Sequence, residues 1–417
     1  MMTQAYYTGI SGIRNNSIGI DVIANNLANI STTGYRGYTT EFSTLFEDAL
    51  STGSVFKDAV GDGVRVQATS MLKDQGSLSL SDKSTDIALI GDGWFGIQQN
   101  GQPVYTRDGS FTFDANNDLV TADGYHVLGT IGGNIGDDDI LKFKIDSLAL
   151  GDIKSQQKLR FPKNLTYPPE ASSQVKFLGN VGVTDEVYTL GASVVDTQNN
   201  KNHLTLEFKR NPIQTLPGSQ YTVVATTKSA DGKILYDTKE GKLEFDSAGG
   251  LVSNTLTTID NNGTAVSIDL GSGFDGVTSI DLPFAPGSSV ADGTVGGTLV
   301  GYQVNRDAEV IATFTNGEQS SIGKIAVFHF SNEQGLDRVN GTRFSASSNS
   351  GDARFRKDAN GNNINGADVV NFKLENSNIE LSYGLTELII LQRSYDANSK
   401  SITTADQMMQ KALDMDA

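Results

Sequence analysis

The two ends of this chain carry matching heptad repeats, and this pattern restricts the fold more than any other feature. At the start, apolar side chains recur every seven residues from Tyr6 to Leu27; at the end, the same spacing runs from Leu381 to Met409. Repeats of this kind predict helices with one apolar seam each. We therefore predict two terminal helices that pack on each other or on neighbouring copies of the chain. Two ordinary amphipathic helices lying on a globular core are the alternative.

The first heptad segment is a weak helix by composition. Gly9, Gly12 and Gly19 lie inside it, and each glycine costs a helix about 1 kcal/mol relative to alanine. Helix nucleation in water is already unfavourable. We therefore expect packing to supply the missing stability, and the helix to become ordered on assembly.

Charge and cysteine content exclude several classes of function. The formal net charge is −17, from 32 basic and 49 acidic residues, and the part between residues 31 and 380 carries −15 of it. Such acidity argues against a protein that grips nucleic-acid phosphates. The absence of cysteine removes disulfides, Cys-ligated zinc and thiol nucleophiles. With no long apolar run and no basic, apolar leader, we also expect no membrane insertion and no cleaved signal peptide.

The middle of the chain has the pattern of antiparallel β structure. Asx-Gly pairs such as Asp108-Gly109 and Asn316-Gly317 separate short β-branched and aromatic stretches, which is typical of hairpins. Seven of the eight prolines lie between about residues 148 and 294. That stretch is predicted to be a separate β domain.

The motifs that suggest a binding or catalytic site lack the sequence context that such a site requires. Gly91-Asp-Gly93-Trp-Phe-Gly96 matches G-x-G-x-x-G, but a turn signal follows where a dinucleotide site needs a helix. We interpret it as a tight β turn, with Trp94 in the core. The acidic run Asp137–Asp139 is interpreted as a solvated turn. We expect no catalytic residues, no cofactor and no metal.

Both ends resemble the bacterial flagellar rod and hook family. The resemblance is carried by Asp21-Val-Ile-Ala-Asn-Asn-Leu-Ala-Asn29 with Thr33-Gly-Tyr-Arg36, by Glu375-Asn-Ser-Asn-Ile-Glu-Leu-Ser382, and by Gln392-Arg-Ser-Tyr-Asp-Ala-Asn398. Tyr105-Thr-Arg-Asp-Gly-Ser-Phe111 is similar to the inner β domain of that family. The region 148–294 carries no such signature.

The resemblance implies a mainly β fold with terminal α-helices. The N- and C-terminal helices would pair as a coiled coil, followed by two stacked antiparallel β domains, the outer inserted into the inner. The predicted parts are an N-terminal helix 1–31, an extended linker 32–72, the inner β domain 73–147 and 295–358, the outer β domain 148–294, a linker 359–379, and a C-terminal helix 380–417.

The resemblance also implies a function. Because rod proteins of the family lack a large outer insertion, the insertion favours a structural, non-enzymatic hook subunit. Such a subunit would be exported without a cleaved signal and would polymerise into a curved tube, a universal joint between rod and filament. Its expected partners are further copies, the rod, hook cap and hook–filament junction proteins, and the flagellar export apparatus. A distal rod protein and a surface adhesin-like β module remain alternatives.

Under this interpretation the seam residues form the polymerisation interface. They are Tyr6, Ile10, Ile13, Ile20, Ala24, Leu27, Leu381, Leu388, Leu391, Tyr395, Ile402, Ala405 and Met409.

Overall fold

The computed structural model describes residues 2–44, 63–99, 101–214 and 217–415. Two long helices, α1 (Met2–Ala28) and α2 (Leu381–Met415), pack side by side and bring the two ends of the chain together. This confirms the prediction that the heptad-patterned segments are helices and that they pair. Among the described residues, no helix is long and apolar enough to cross a membrane.

A β-hairpin lies against the helix pair. Its strands are β1 (Tyr38–Thr44) and β2 (Val64–Met71), which pair antiparallel from Tyr38–Met71 to Thr44–Val64. Both strands contact α1. The predicted extended linker 32–72 therefore contains paired strands, while its residues 45–62 lie outside the described residues.

The inner β domain is built from two stretches of chain that share one large sheet. The first stretch supplies β3 (Leu78–Leu80), β4 (Ile87–Ile90), β5 (Trp94–Gln99), β6 (Gln102–Thr106), β7 (Phe111–Phe113), β8 (Leu119–Thr121), β9 (His126–Ile131), β10 (Gln157–Lys158) and β11 (Thr166–Tyr167). A short 3₁₀ helix, Ile153–Ser155, precedes β10.

The outer β domain follows as an insertion. Its strands are β12 (Gln174–Lys176), β13 (Gly179–Asn180), β14 (Tyr188–Val195), β15 (Lys201–Arg210), β16 (Gln220–Lys228), β17 (Leu235–Phe245), β18 (Leu251–Asn254), β19 (Thr258–Asn261), β20 (Thr264–Asp269), β21 (Gly271–Ser272), β22 (Asp275–Thr278), β23 (Ala285–Pro286) and β24 (Val290–Ala291).

The chain then returns to the inner domain. The second stretch supplies β25 (Gly297–Val304), β26 (Glu309–Phe314), β27 (Gln319–Ile325), β28 (Val327–Phe328), β29 (Asp337–Asn340), β30 (Arg343–Ser345), β31 (Arg356–Lys357), β32 (Asn363–Ile364), β33 (Asp368–Asn371) and β34 (Lys373–Glu375). A 3₁₀ helix, Glu333–Gly335, precedes β29. The last strands lie within the predicted linker 359–379, and β33 and β34 pair with β4 and β3.

The main inner sheet runs in the order β11-β25-β26-β27-β9-β5-β6-β30-β29. Groups of strands from the first and the second stretch therefore lie next to each other in turn. Apolar side chains from both stretches fill one core, including Phe95, Phe111, Val310 and Ile322. Neither stretch can bury its apolar face without the other. The inner domain therefore folds as one unit although the outer domain interrupts it.

The outer domain has its own core beneath a five-stranded antiparallel meander, β14 to β18. Strand β15 alternates buried and exposed side chains along its length, as expected for a sheet with one solvated face. Two four-stranded sheets complete the domain, and each contains one parallel pair, β12–β20 and β13–β22. These pairs depart from the predicted all-antiparallel arrangement.

The boundary between the β domains lies later than residue 148. Leu159, Phe161 and Leu165 are buried in the inner core, although the sequence placed them in the outer domain. The outer core begins with Val175. At the crossing, Glu170 and Thr294 form an antiparallel bridge, with N–O distances of 2.8 and 2.9 Å. Proline content gave a poor boundary because prolines also occur in the extended segment that covers the inner core.

A buried carboxylate organises one end of the outer domain. Asp196 is fully buried, and side-chain amides of Asn200, Asn202 and Asn262 donate to its Oδ2 at 3.1, 3.1 and 2.7 Å. Burial raises the pKa of this carboxyl, but these hydrogen bonds and the backbone N–H of Asn200 outweigh it and lower the pKa from 3.8 to about 2.

Candidate assembly core and its junction with the inner domain

The glycines of α1 are points at which side chains of α2 lie close to its backbone. A Cβ placed on Gly9 would lie 2.7 Å from Cγ1 of Ile402, one on Gly12 would lie 2.5 Å from Nδ2 of Asn398, and one on Gly19 would lie 2.7 Å from Cδ1 of Leu391. These separations are shorter than van der Waals contact. The glycines that make α1 a weak helix by itself therefore make room for its partner.

The same contacts fix an antiparallel register. The partners of Gly9, Gly12 and Gly19 occur in reverse order along α2. Between them, Nδ2 of Asn16 donates to Oγ of Ser394 at 2.8 Å. At the other end, Leu27 packs on Gly384. A shift of one helix by a heptad would place other side chains of α2 opposite Gly9, Gly12 and Gly19. It would also leave the buried amide of Asn16 without the hydroxyl of Ser394 as its acceptor.

The predicted seam residues are divided between the helix pair and the surface. Leu391 and Ala405 are buried, with exposed fractions of 9% and 5%. Seven others are half-buried: Ile10, Ile13, Ile20, Leu27, Leu388, Ile402 and Met409. The remaining four are exposed: Tyr6, Ala24, Leu381 and Tyr395. The contact line on α1 runs through Gly9, Gly12, Asn16 and Gly19, beside the seam that apolar spacing predicts.

Sequence reasoning missed a set of apolar residues that α2 exposes to solvent. Besides Leu381 and Tyr395, these large side chains are Tyr383, Leu385, Ile389, Ile390, Met408 and Leu413, with exposed fractions from 44% to 72%. They fall outside the single heptad register that we followed. Counting all apolar residues on α2, rather than those in one register, would have found them.

Two asparagines of α1 hold the β1–β2 hairpin through its backbone. The side chain of Asn26 donates to the carbonyl of Tyr38 at 2.6 Å and accepts from its N–H at 3.1 Å. Asn15 accepts from the N–H of Val66 at 2.7 Å. Both amides are buried. The asparagines that lower the helix propensity of α1 therefore satisfy the hairpin edge.

A buried ion cluster joins the helix pair to the inner domain. Nη2 of Arg36 lies 2.9 Å from Oε1 of Glu375, and Nη1 of Arg107 lies 3.6 Å from Oε2. The three side chains are at most 5% exposed. Burial lowers the pKa of Arg107 to about 10, against the opposing effect of Glu375, so the group stays charged at neutral pH. One carboxylate thus serves two buried cations.

These three residues come from three of the sequence motifs that carry the family resemblance. Arg36 ends Thr33-Gly-Tyr-Arg36, Glu375 begins the C-terminal motif, and Arg107 lies within Tyr105–Phe111. The motifs are far apart in sequence but meet at one point. The charged residues within these motifs could have indicated an ion cluster, although a single sequence does not show which of the charges pair.

Close backbone approaches surround the ion cluster. Gly34 has a φ of +65°, and a Cβ there would lie 2.4 Å from the backbone nitrogen of Asp108. A Cβ on Gly76 would lie 1.9 Å from the carbonyl oxygen of Asn376. Asn378 bridges the strands by accepting from the N–H of Gly37 at 2.8 Å and donating to the carbonyl of Asp74 at 2.9 Å. The junction is therefore packed through backbone contacts rather than through a flexible hinge.

The hairpin is also tied to the second stretch of the inner domain. Gln334 accepts from the N–H of Met71 and donates to its carbonyl, both at 2.7 Å. The guanidinium of Arg338 lies over the rings of Tyr35 and Tyr38, at 5.0 and 5.5 Å from their centroids. These contacts hold the hairpin against the inner domain.

Three family models match this chain. They are a flagella basal body rod protein model over residues 7–36, a flagellar hook protein FlgE/F/G D1 domain model over 88–172, and a flagellar basal body rod FlgEFG protein C-terminal model over 372–415. A protein named flagellar hook protein FlgE from Brucella suis is 29% identical over 419 residues, with 96% of each chain covered. This chain is therefore similar to flagellar hook proteins over nearly its whole length.

Hook proteins of other bacteria are similar to this chain over the same length. The flagellar hook protein FlgE of Salmonella typhimurium is 28% identical, with 97% of this chain and 98% of the relative covered. That of Borreliella burgdorferi is 24% identical, with 98% and 99% covered. The crystal structure of Helicobacter pylori flagellar hook protein FlgE2 has a similar fold, with a TM-score of 0.55 over 70% of this chain and 98% of that one. The rod-protein and adhesin alternatives are not favoured by these relatives.

The glycine-rich motif has the structural role that the sequence predicted. Gly91 and Gly93 have φ values of +94° and +133° in the turn between β4 and β5, and a strand follows them. Trp94 is 1% exposed. In the part of the chain that the structure describes, no group of three or more His, Cys, Asp or Glu residues is arranged to hold a metal ion.

Proposed function

We propose that this chain is a structural subunit of the flagellar hook that polymerises into a curved tube through its paired terminal helices. The observation that carries the proposal is the apolar surface of α2. One side of α2 packs on α1, while Tyr383, Ile389 and Ile390 are 66%, 54% and 61% exposed. A single helix with this much uncovered apolar surface is typical of a protein–protein interface.

Burial of these side chains in neighbouring copies provides the driving force for assembly. A fully buried aliphatic side chain contributes roughly 1.5–3 kcal/mol relative to an exposed one. Several such residues on each copy are enough to offset the cost of fixing one subunit against another. The predicted seam residues Tyr6, Leu381 and Tyr395, which stay exposed in the single chain, would join the same interface.

Three adjacent positions on α2 test the interface. Ile390 is exposed, Leu391 is buried against α1, and Gln392 is exposed and polar. Ile390→Asp should leave the helix pair folded and abolish tube formation. Leu391→Asp should disrupt the helix pair itself, and Gln392→Asp is the matched control with the same new charge and little lost apolar area.

Helix content by circular dichroism and tubes by electron microscopy are the two measurements. The tryptophan fluorescence of Trp94, buried in the inner domain, reports whether the β domains stay folded. Normal tubes from Ile390→Asp, with wild-type helix content, would contradict the proposed interface.

The outer β domain is proposed to set curvature rather than to drive assembly. Its acidic surface gives wet contacts of modest strength, which can exchange while the helical core stays fixed, as bending of a universal joint requires. Because Glu170 and Thr294 are bridged, residues 171–293 can be replaced by a short turn. We expect that variant to form tubes of altered supercoiling.

The longer deletion of residues 148–294 is the matched comparison. It also removes Leu159, Phe161 and Leu165 from the inner core, and should leave the inner domain unfolded. Loss of all polymerisation from the shorter deletion, with a folded inner domain, would show that the outer domain drives assembly instead.

The position of the chain in the flagellum follows from this function. Rod, hook cap and hook–filament junction proteins are its proposed neighbours, and the flagellar export apparatus is its proposed route, without a cleaved signal. The weak propensity of α1 supports export in an unfolded form. No catalytic role is proposed.

A further inference from the structure

A basic cleft of about 670 Å³ lies on the inner domain, on a chain whose net charge is −17. Its charged lining residues are Lys73, Arg354, Arg356, Lys357, Asp92 and Glu333. Arg356 pairs with Asp92 at 3.5 Å. Within the described residues, the other three cations form no ion pair. The cleft therefore has more positive charge than the fold itself uses.

The backbone that carries these cations is held in place. His329 and Arg354 exchange two backbone hydrogen bonds of 2.9 Å, and Arg356 and Lys357 form β31, which pairs with β32. His329 is buried, and its Nε2 lies 2.6 Å from the carbonyl oxygen of Asn365. The exposed guanidinium and ammonium groups thus project from a fixed wall, which lowers the entropy lost when a partner binds.

An acidic turn with complementary properties lies elsewhere on the same domain. Asp137, Asp138 and Asp139 are exposed, and none of them forms an ion pair within the described part of the chain. A backbone hydrogen bond of 2.8 Å from Gly136 to Ile140 closes the turn. Beside it, Ile140 and Phe143 are 38% and 53% exposed. The turn thus combines three carboxylates with an apolar anchor.

The cleft and the turn are separate patches on the inner domain. The turn adjoins β11, the first strand of the sheet order, through the bridge from Ile140 to Thr166. The 3₁₀ helix that begins with Glu333 of the cleft precedes β29, the last strand in that order, while Asp92 and His329 of the cleft lie beside the paired strands β5 and β28. Two different complementary patches on one subunit make a heterologous contact, which gives a ring if the rotation between copies closes and a helical polymer if it does not.

We propose that the basic cleft receives the Asp137–Asp139 turn of a neighbouring copy of this chain. The inference rests on the proposed polymerisation, and it names a contact between β domains in addition to the helical core. Subunits that each carry −17 repel one another, so a local attraction of opposite charges offsets that repulsion and fixes the orientation of the neighbour.

A charge exchange tests the contact in the full-length protein. The first variant is Arg354→Glu with Arg356→Glu, and the second is Asp137→Lys with Asp138→Lys. Asp139 is left unchanged because its φ is +57°, a conformation that few residues other than Gly, Asn and Asp adopt readily. We expect each variant to raise the critical concentration for tube formation, measured by sedimentation, by at least tenfold.

Combining the two variants should restore the critical concentration to within about threefold of the wild type, because the charges are then exchanged across the contact. The control is Lys228→Glu with Lys242→Glu on the outer domain, which changes the net charge by the same amount and should have little effect. Unimpaired tubes from both single variants, or no recovery in the combined one, would overturn the proposed contact. Failure of the wild type to form tubes would instead refute the proposed polymerisation.

Discussion

Replacement of Gly9, Gly12 and Gly19 by alanine separates two explanations of the α1 glycines. If the glycines only weaken the helix, each alanine should stabilise it by about 1 kcal/mol. If they are notches for α2, each new Cβ lies 2.5 to 2.7 Å from a partner atom, and must be accommodated by moving that atom by about 1 Å. Overpacking of this kind typically costs 1–3 kcal/mol.

The magnitudes favour a net loss, and they differ between the sites. At Gly19 the obstructing atom is the end of the Leu391 side chain, which can rotate away, so gain and cost should nearly cancel. At Gly12 the whole side-chain amide of Asn398 lies within 3 Å of the added Cβ, and we expect a net loss of about 1–2 kcal/mol of stability there. At Gly9 the obstructing atom is the inner Cγ1 of Ile402, so we expect a similar loss there and about 2–4 kcal/mol for the triple variant.

The assay is thermal unfolding of the full-length chain, followed by circular dichroism at 222 nm, together with electron microscopy of tubes. Ser17→Ala is the control, because Ser17 is exposed on the same helix and alanine there only raises helix propensity. The triple variant should melt at a lower temperature than the control and assemble poorly. A higher melting temperature with normal tubes would refute the packing role of the glycines.

Two further predictions concern buried charge. Glu375→Gln leaves Arg36 and Arg107 buried without their carboxylate, and should lower the free energy of unfolding, measured with denaturant, by about 3–5 kcal/mol. The control is Glu380→Gln at an exposed position, which should lower it little. Equal stabilities of the two variants would contradict the role of the cluster. In the outer domain, the pKa of Asp196 is about 2 in the folded chain against an ordinary 3.8, so its contribution, roughly 2 kcal/mol, is fully present above about pH 4 and is lost as the pH falls through 2. Denaturant unfolding of the wild type between pH 5 and 2 should show this loss, and Asp196→Asn should flatten it; an unchanged profile in the variant would place the acid sensitivity elsewhere.

The sequence predicted the architecture because its strongest signals are local. Heptad spacing and Asx-Gly turns each act within a few residues, and they placed the helices, the β character of the middle and the turn at Gly91. The domain boundary depended on contacts between residues more than 100 positions apart, such as Phe161 with the second inner stretch, and no local pattern encodes them. The observed contact face of α1 differs from the predicted seam for a related reason. Apolar spacing marks large side chains, whereas α2 approaches α1 at its glycines.

The candidate site was predicted in part for the same reason. The predicted seam includes Leu391 and Ala405, which are buried. It omits Ile390, which is exposed, because one heptad register leaves out apolar residues on the other faces of the helix. The pairing of Arg36 with Glu375 spans most of the chain, and a single sequence offers no measure of which distant charges meet.

The antiparallel helix pair has a consequence for the order of folding. Gly9 contacts Ile402, so the first helix lacks its helical partner until nearly the whole polypeptide is present. Closing a loop of that length is an entropic barrier that local strand pairing does not face, and contacts so distant in sequence form late. The β domains can therefore fold before α1 and α2 pair, and the helix pair is the last element to form. Any interface that needs the helix pair would therefore be absent until synthesis or delivery of the whole chain is complete.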